Sequence, residues 1–150
     1  MKAVIQRVSS AHVEIEGKTV AKIKKGLVLL VGYAEEDFQS DIDWIVSKTV
    51  NMRIFSDEND LMNLSIKDIE GQILIISQFT LFAKTKKGNR PSFIHAAKPL
   101  IAVPLYNATI DTFQKNVTAT VETGEFGKNM QVHLVNDGPV TIQIDSKLKI

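Results

Sequence analysis

A chain of 150 residues, 44% hydrophobic and 23% charged, has room for one packed core and lacks the composition of a disordered or fibrous protein. Zero cysteines exclude disulfides, thiolate metal sites and a cysteine nucleophile, and suit a reducing, cytoplasmic compartment. A net charge of +1 favours no partner by itself, and no apolar run approaches the roughly 20 residues of a membrane-crossing helix.

The chain opens as strand. Val4, Gln6 and Val8 alternate with Ile5, Arg7 and Ser9, which reads as a first strand and not as a secretory leader. Ala11, Val13 and Ile15 alternate with His12, Glu14 and Glu16, and Glu16-Gly17-Lys18 predicts a hairpin into residues 19–24. The continuous apolar run from Gly26 to Gly32 predicts a strand buried on both faces. A first helix follows, capped by Ser40, with Asp41 and Asp43 near its positive end. Ile42, Ile45, Val46, Thr49 and Val50 form its apolar stripe. Asp57–Asp60 is a turn, and Ile73–Ile76 is another buried strand. A second helix is expected to open at Pro104, with Tyr106, Ile110, Phe113 and Val117 along one face. Residues 118–122, 130–135 and 140–144 return to strand. Two helices among about seven strands predict an α+β domain over residues 1–150, mostly antiparallel and barrel-like.

Charge is unevenly placed. Glu35 to Asp43 holds five acids and no base, whereas Lys84, Lys86, Lys87, Arg90 and Lys98 fall in a stretch without acids. That basic loop reads either as a solvated loop with charged tips or as a surface for phosphates. The three histidines, His12, His95 and His133, are far apart in no metal-ligand spacing, and nucleophile-elbow, P-loop and dinucleotide patterns are absent. His12 and His133 fall on the polar sides of their strands and read as surface histidines. The chemistry expected is therefore free of metal, cofactor, cysteine and histidine triad.

Two segments carry the functional signal. Ser77-Gln78-Phe79-Thr80-Leu81 emerges where the buried run ends, and a strand end can hold backbone N–H groups rigidly at a pocket. Asn136-Asp137-Gly138-Pro139-Val140-Thr141 contains Asp-Gly, a hairpin signal between two alternating strands. Each segment also reads as plain structure: a strand reaching the surface, and a turn.

Together they resemble the D-aminoacyl-tRNA deacylase family, whose signatures are Ser-Gln-Phe-Thr-Leu and Asn-x-Gly-Pro-Val-Thr. Gln6-Arg7-Val8, residues 53–57 and 62–64, residues 87–93, residues 123–127 and Met130-Gln131-Val132 extend the likeness along nearly the whole chain. Lys84 departs from it, where the family more often has an acid. The resemblance implies hydrolysis of the ester joining a D-amino acid, or achiral glycine, to the 3′-terminal adenosine of tRNA, with L-aminoacyl-tRNA rejected. It implies backbone around Phe79 and Thr80 as oxyanion donors, with Gln78 and Thr80 beside the ester and Ser77 at the pocket. It further implies a homodimer in which Gly138-Pro139 of one subunit enters the partner's pocket at the interface. Arg7 would anchor that loop, and Phe126 and Met130 would line the adenosine pocket; read without the family, both are core. A threonine nucleophile needs an activating base, and none is evident beside Thr80, so attack by the tRNA 2′-hydroxyl or a water is the preferred reading. The alternatives are a non-catalytic tRNA-binding module and a small-molecule esterase.

Overall fold

A computed structural model describes all 150 residues. Its elements are β1 (Lys2–Ile15), β2 (Lys18–Ile23), β3 (Gly26–Gly32), α1 (Gln39–Asn51), β4 (Phe55–Ser56), β5 (Met62–Leu64) and β6 (Gln72–Ser77), followed by a 3-10 turn (Phe79–Phe82), α2 (Pro99–Asn116), β7 (Val121–Thr123) and β8 (Gln131–Asp145). No helix is long and apolar enough to cross a membrane.

β1 is the spine. Its first half pairs antiparallel with β3, its second half with β2, and β8 runs antiparallel along both. The two strands expected before Gly17 are thus one continuous strand. The break in alternation at Arg7–Ser10 that suggested two is an irregularity in the β8 ladder. Across such a slip the buried odd-numbered positions change face. Ala3 and Ile5 face the helices, whereas Ala11 and Val13 face a second core. The remaining order is β3-β6-β7, and both contacts are parallel because α1 and α2 supply the crossovers that return each strand in the same direction. The α+β expectation holds, with two helices and a sheet curled nearly closed into a barrel; most of its strand contacts are antiparallel, as expected, and the β3-β6-β7 part is parallel.

β3 and β6 are buried on both sides. Leu27, Leu29, Val31, Ile73 and Ile75 pack beneath α1 and α2, while Val28, Leu74 and Ile76 fill the smaller core on the opposite face. The α1 stripe is buried as its spacing predicts. Its cap differs: the helix starts at Gln39, and Asp41 reaches back to accept the Phe38 amide at 2.9 Å, so Ser40 lies inside the first turn. α2 begins five residues before the expected Pro104, because Pro99 already occupies the first position; Pro104 then sits inside the helix, where it gives up one amide donor. Ala102, Tyr106, Thr109 and Phe113 form its buried face. β7 is shorter than expected and shifted to Val121–Thr123.

Candidate active site

Ser77 is the last residue of β6 and pairs with Val31 of β3. The Gln78 amide still donates to the Val31 carbonyl at 2.7 Å, after which the chain leaves the sheet and coils into the 3-10 turn. The first bond of that turn runs from the Leu81 amide to the Gln78 carbonyl at 3.3 Å. The N–H groups of Phe79 and Thr80 therefore precede the ladder, as leading amides of a helical turn do. A rigid, doubly buried strand thus delivers two amides to the surface side by side.

Phe79 is 57% exposed, and its ring meets Phe93 edge-on with centroids 5.1 Å apart. The Gln78 side-chain amide donates to the Thr80 hydroxyl. That hydroxyl has no imidazole, carboxylate or amine within hydrogen-bond reach, so nothing there can take its proton. Concave surface lies on both sides of Phe79. One pocket is walled by Tyr33, Ser77, Gln78, Phe79, Ala102 and Phe126. The other, about 260 Å³, is walled by Ile76, Ser77, Gln78, Phe79, Met130 and Val132. Phe126 and Met130 are partly buried against the larger and smaller cores respectively, so each is both core and pocket wall. Tyr106 packs against Phe126 and donates to the Ile75 carbonyl at 2.9 Å, tying α2 to the strand that carries the site. Burial pushes the Tyr106 hydroxyl up to about 12. Sequence reading placed this tyrosine only on a core face; nothing local signals its bond to β6.

Arg7, Gly138 and Pro139 form a second group. Asn136–Val140 is not the hairpin expected from Asp-Gly. β8 continues through it, and both flanks pair with β1, so the segment is an outward loop inside one strand. The register jumps from Gln6↔Thr141 to Val8↔Asn136, two residues on β1 against five on β8. Side-chain bonds substitute for the lost ladder. Asn136 accepts the Val140 amide at 2.7 Å and donates to the Val140 carbonyl at 3.2 Å, closing the neck. Arg7, only 8% exposed, donates Nε to the Asp137 carbonyl at 2.8 Å and Nη1 to the Ile54 carbonyl at 2.6 Å. The Gly138–Pro139 peptide is cis, and Gly138 has φ +143°, a region that L side chains rarely adopt. Asp137, Gly138 and Pro139 are exposed. Asn136 as the staple escaped the sequence reading, since the same residue in a hairpin would be an ordinary turn former.

Within one chain no hydrogen bond or pocket wall joins the 138–139 corner to the Phe79–Thr80 turn. The basic residues Lys84, Lys86, Lys87, Arg90 and Lys98 are all exposed; the first four stand on a loop whose neck is a backbone pair between Lys84 and Ser92, and Lys98 precedes the first residue of α2.

The family described as D-Tyr-tRNA(Tyr) deacylase matches residues 4–145. The chain is 58% identical to a D-aminoacyl-tRNA deacylase of Flavobacterium psychrophilum and 56% identical to one of Bacteroides fragilis, covering 99% of each chain in both cases. Among solved structures it is similar to the c-Myc DNA Unwinding Element Binding Protein, with TM-score 0.92 and 39% identity over 97% of this chain and 98% of that one. A probable eukaryotic D-amino acid tRNA deacylase shares the fold, with TM-score 0.80 and 17% identity over 95% and 97% of the two chains.

Proposed function

Since this chain belongs to the D-Tyr-tRNA(Tyr) deacylase family, we propose a division of labour between its two exposed groups in the hydrolysis of D-aminoacyl-tRNA. The chain is a hydrolase of the ester between a D-amino acid and tRNA, and residues 1–150 act as one catalytic domain, working on translation substrates in the cytoplasm. Attack on the ester carbonyl carbon creates a tetrahedral oxyanion. Collapse then breaks the bond to the ribose oxygen, which leaves with a proton. The leading amides at Phe79 and Thr80 are the donors for that oxyanion, worth about 3–4 kcal/mol each where a preformed donor meets developing charge. The observation that carries this reading is the 3-10 turn at the end of β6, rigid below and open above.

Thr80 and Gln78 position the ester. With only an amide donor beside it, the Thr80 hydroxyl is a poor nucleophile. The attacking oxygen comes from a water that the neighbouring 2′-hydroxyl of the tRNA orients, and it ends in the carboxyl group of the released amino acid. Ser77, Phe126 and Met130 line the pockets that receive the terminal adenosine and the amino acid. Rejection of L-aminoacyl-tRNA requires an obstacle on one side of the α-carbon. The Gly138–Pro139 corner, exposed on its own chain and braced by Arg7 and Asn136, supplies it to a second copy, so that the working enzyme is a homodimer with its site at the interface. Because the obstacle blocks one direction only, glycyl-tRNA is also cleaved.

The test is release of amino acid from D-Tyr-tRNA and L-Tyr-tRNA by pure protein. Rapid release from the D-ester and none from the L-ester is expected; equal or absent release from both ends the proposal.

A further inference from the structure

On the second half of β1 the fold assembles a cluster that spacing along the chain conceals. His12 and His133 are direct cross-strand partners in the β1–β8 ladder. Glu14 stands two residues from His12, and in a strand that places both on one face. It is the outward face: the alternating neighbours Ala11 and Val13 are buried in the smaller core. The two imidazoles, read as separate surface residues, instead stack with centroids 4.3 Å apart and planes 6° from parallel. The carboxylate of Glu14 faces both, Oε1 3.3 Å from Nε2 of His12 and Oε2 3.7 Å from Nε2 of His133. One donor atom from each of the three residues lies within 4.8 Å of the other two.

We propose that His12, Glu14 and His133 form a binding site for a divalent transition-metal ion of the zinc type, separate from the ester-cleaving site. Two imidazoles and one carboxylate match the ligand preference of zinc, nickel and copper and exclude magnesium and calcium, which take oxygen ligands. Zinc holds nitrogen at about 2.0–2.1 Å and carboxylate oxygen at about 2.0–2.2 Å. Two of its ligands in tetrahedral geometry are then roughly 3.3 Å apart. To converge on one ion in tetrahedral geometry the two rings must turn out of their stack, each by roughly 50°. Their freedom to do so is real, since the His12 and His133 side chains are 34% and 50% exposed, while their backbones are pinned by the ladder. Glu14 is available as a ligand, since its ion-pair contacts are the two imidazoles, and Lys22, the β2 partner of His12, forms no ion pair with it. Three protein ligands leave a coordination position for water, so the site is an open one.

The experiment is titration of the full-length, tag-free protein with zinc chloride in chelator-free buffer, followed by calorimetry and by histidine ring NMR signals. One ion per chain is expected, with the His12 and His133 ring signals shifting and that of His95 unmoved. Losing even an outer-shell partner of a metal costs about 10–100-fold in affinity. His12→Ala and His133→Ala should therefore each weaken binding by about tenfold or more, Glu14→Gln should weaken it measurably, and His95→Ala should match the parent. All four side chains are off the core, and circular dichroism checks that each variant is folded. Absence of saturable binding by the parent overturns the proposal, as does undiminished binding by the folded His12→Ala/His133→Ala double variant.

Discussion

Adding a single methyl at Gly138 tests the proposed gate with the least collateral damage. At φ +143° an L-alanine sits in a backbone region reserved for glycine, which costs on the order of 1–3 kcal/mol. Space adds to the penalty. The new β-carbon would lie 2.8 Å from a Val140 methyl, 3.0 Å from the Val140 amide nitrogen and 3.1 Å from Nη2 of Arg7. The Arg7 terminus can swing aside, but the Val140 amide cannot, because it donates the 2.7 Å bond to Asn136 that closes the neck of the loop. The corner must therefore shift by some tenths of an ångström or open its neck. If it meets the reacting centre in a second copy, a cost of about 1–3 kcal/mol corresponds to roughly 5- to 150-fold in rate or in selectivity between enantiomers. Gly138→Ala should lower kcat/KM for D-Tyr-tRNA, or raise cleavage of L-Tyr-tRNA, within that range. The same strain weighs on the folded chain itself, so its unfolding midpoint should fall as well, by no more than that cost of about 1–3 kcal/mol. Steady-state kinetics on both esters, with a urea melt beside them, measures this. Unchanged kinetics on both would remove the loop from the mechanism, whatever its geometry.

Three other outcomes follow from the same geometry. Arg7→Met deletes two charged hydrogen bonds to the Asp137 and Ile54 carbonyls. At about 1.5–3 kcal/mol for a hydrogen bond to a charged group, it should lower stability by a few kcal/mol in urea unfolding and reduce D-Tyr-tRNA turnover more steeply than Gly138→Ala. Thr80→Ala should retain most of its D-Tyr-tRNA deacylation, because the leading amides remain; a fall to background would make the hydroxyl the nucleophile. Asp41 should make the fold acid-sensitive. Burial pushes its carboxyl up, but hydrogen bonds from Lys147, Ser146 and the Phe38 amide outweigh burial and hold it at about 2, below the ordinary 3.8. A depressed carboxylate stabilises the fold above its unfolded value and loses that contribution as pH falls from about 4 toward 2. The full shift would be worth about 2 kcal/mol, less in practice because the Lys147 side chain is 41% exposed and screened. Urea midpoints between pH 6 and pH 2 should decline less in Asp41→Asn than in the parent.

Local pattern alone determined much of this protein. The apolar run from Gly26 to Gly32 could only be a strand with both faces covered, and the helical spacing from Ile42 to Val50 could only bury one stripe, because side-chain direction repeats with the period of each element. The end of the Ile73–Ile76 run at Ser77 marked where polar groups leave the core, and with it half of the candidate site. The deacylase family was legible too, since its two motifs stand complete in the chain. The tertiary structure decided everything that depends on which strand lies beside which. Asp-Gly predicts reversal from local turn chemistry, but β1 offers both flanks of residues 136–140 the same partner, so the chain bulges and continues. The bond from Arg7 to the Asp137 carbonyl spans 130 residues, and no local rule supplies it. His12 and His133, 121 positions apart, became stacked neighbours through the register of a single ladder. Periodicity reports the direction in which a side chain points. Only strand pairing, fixed by burial across the whole sheet, reports what it meets there.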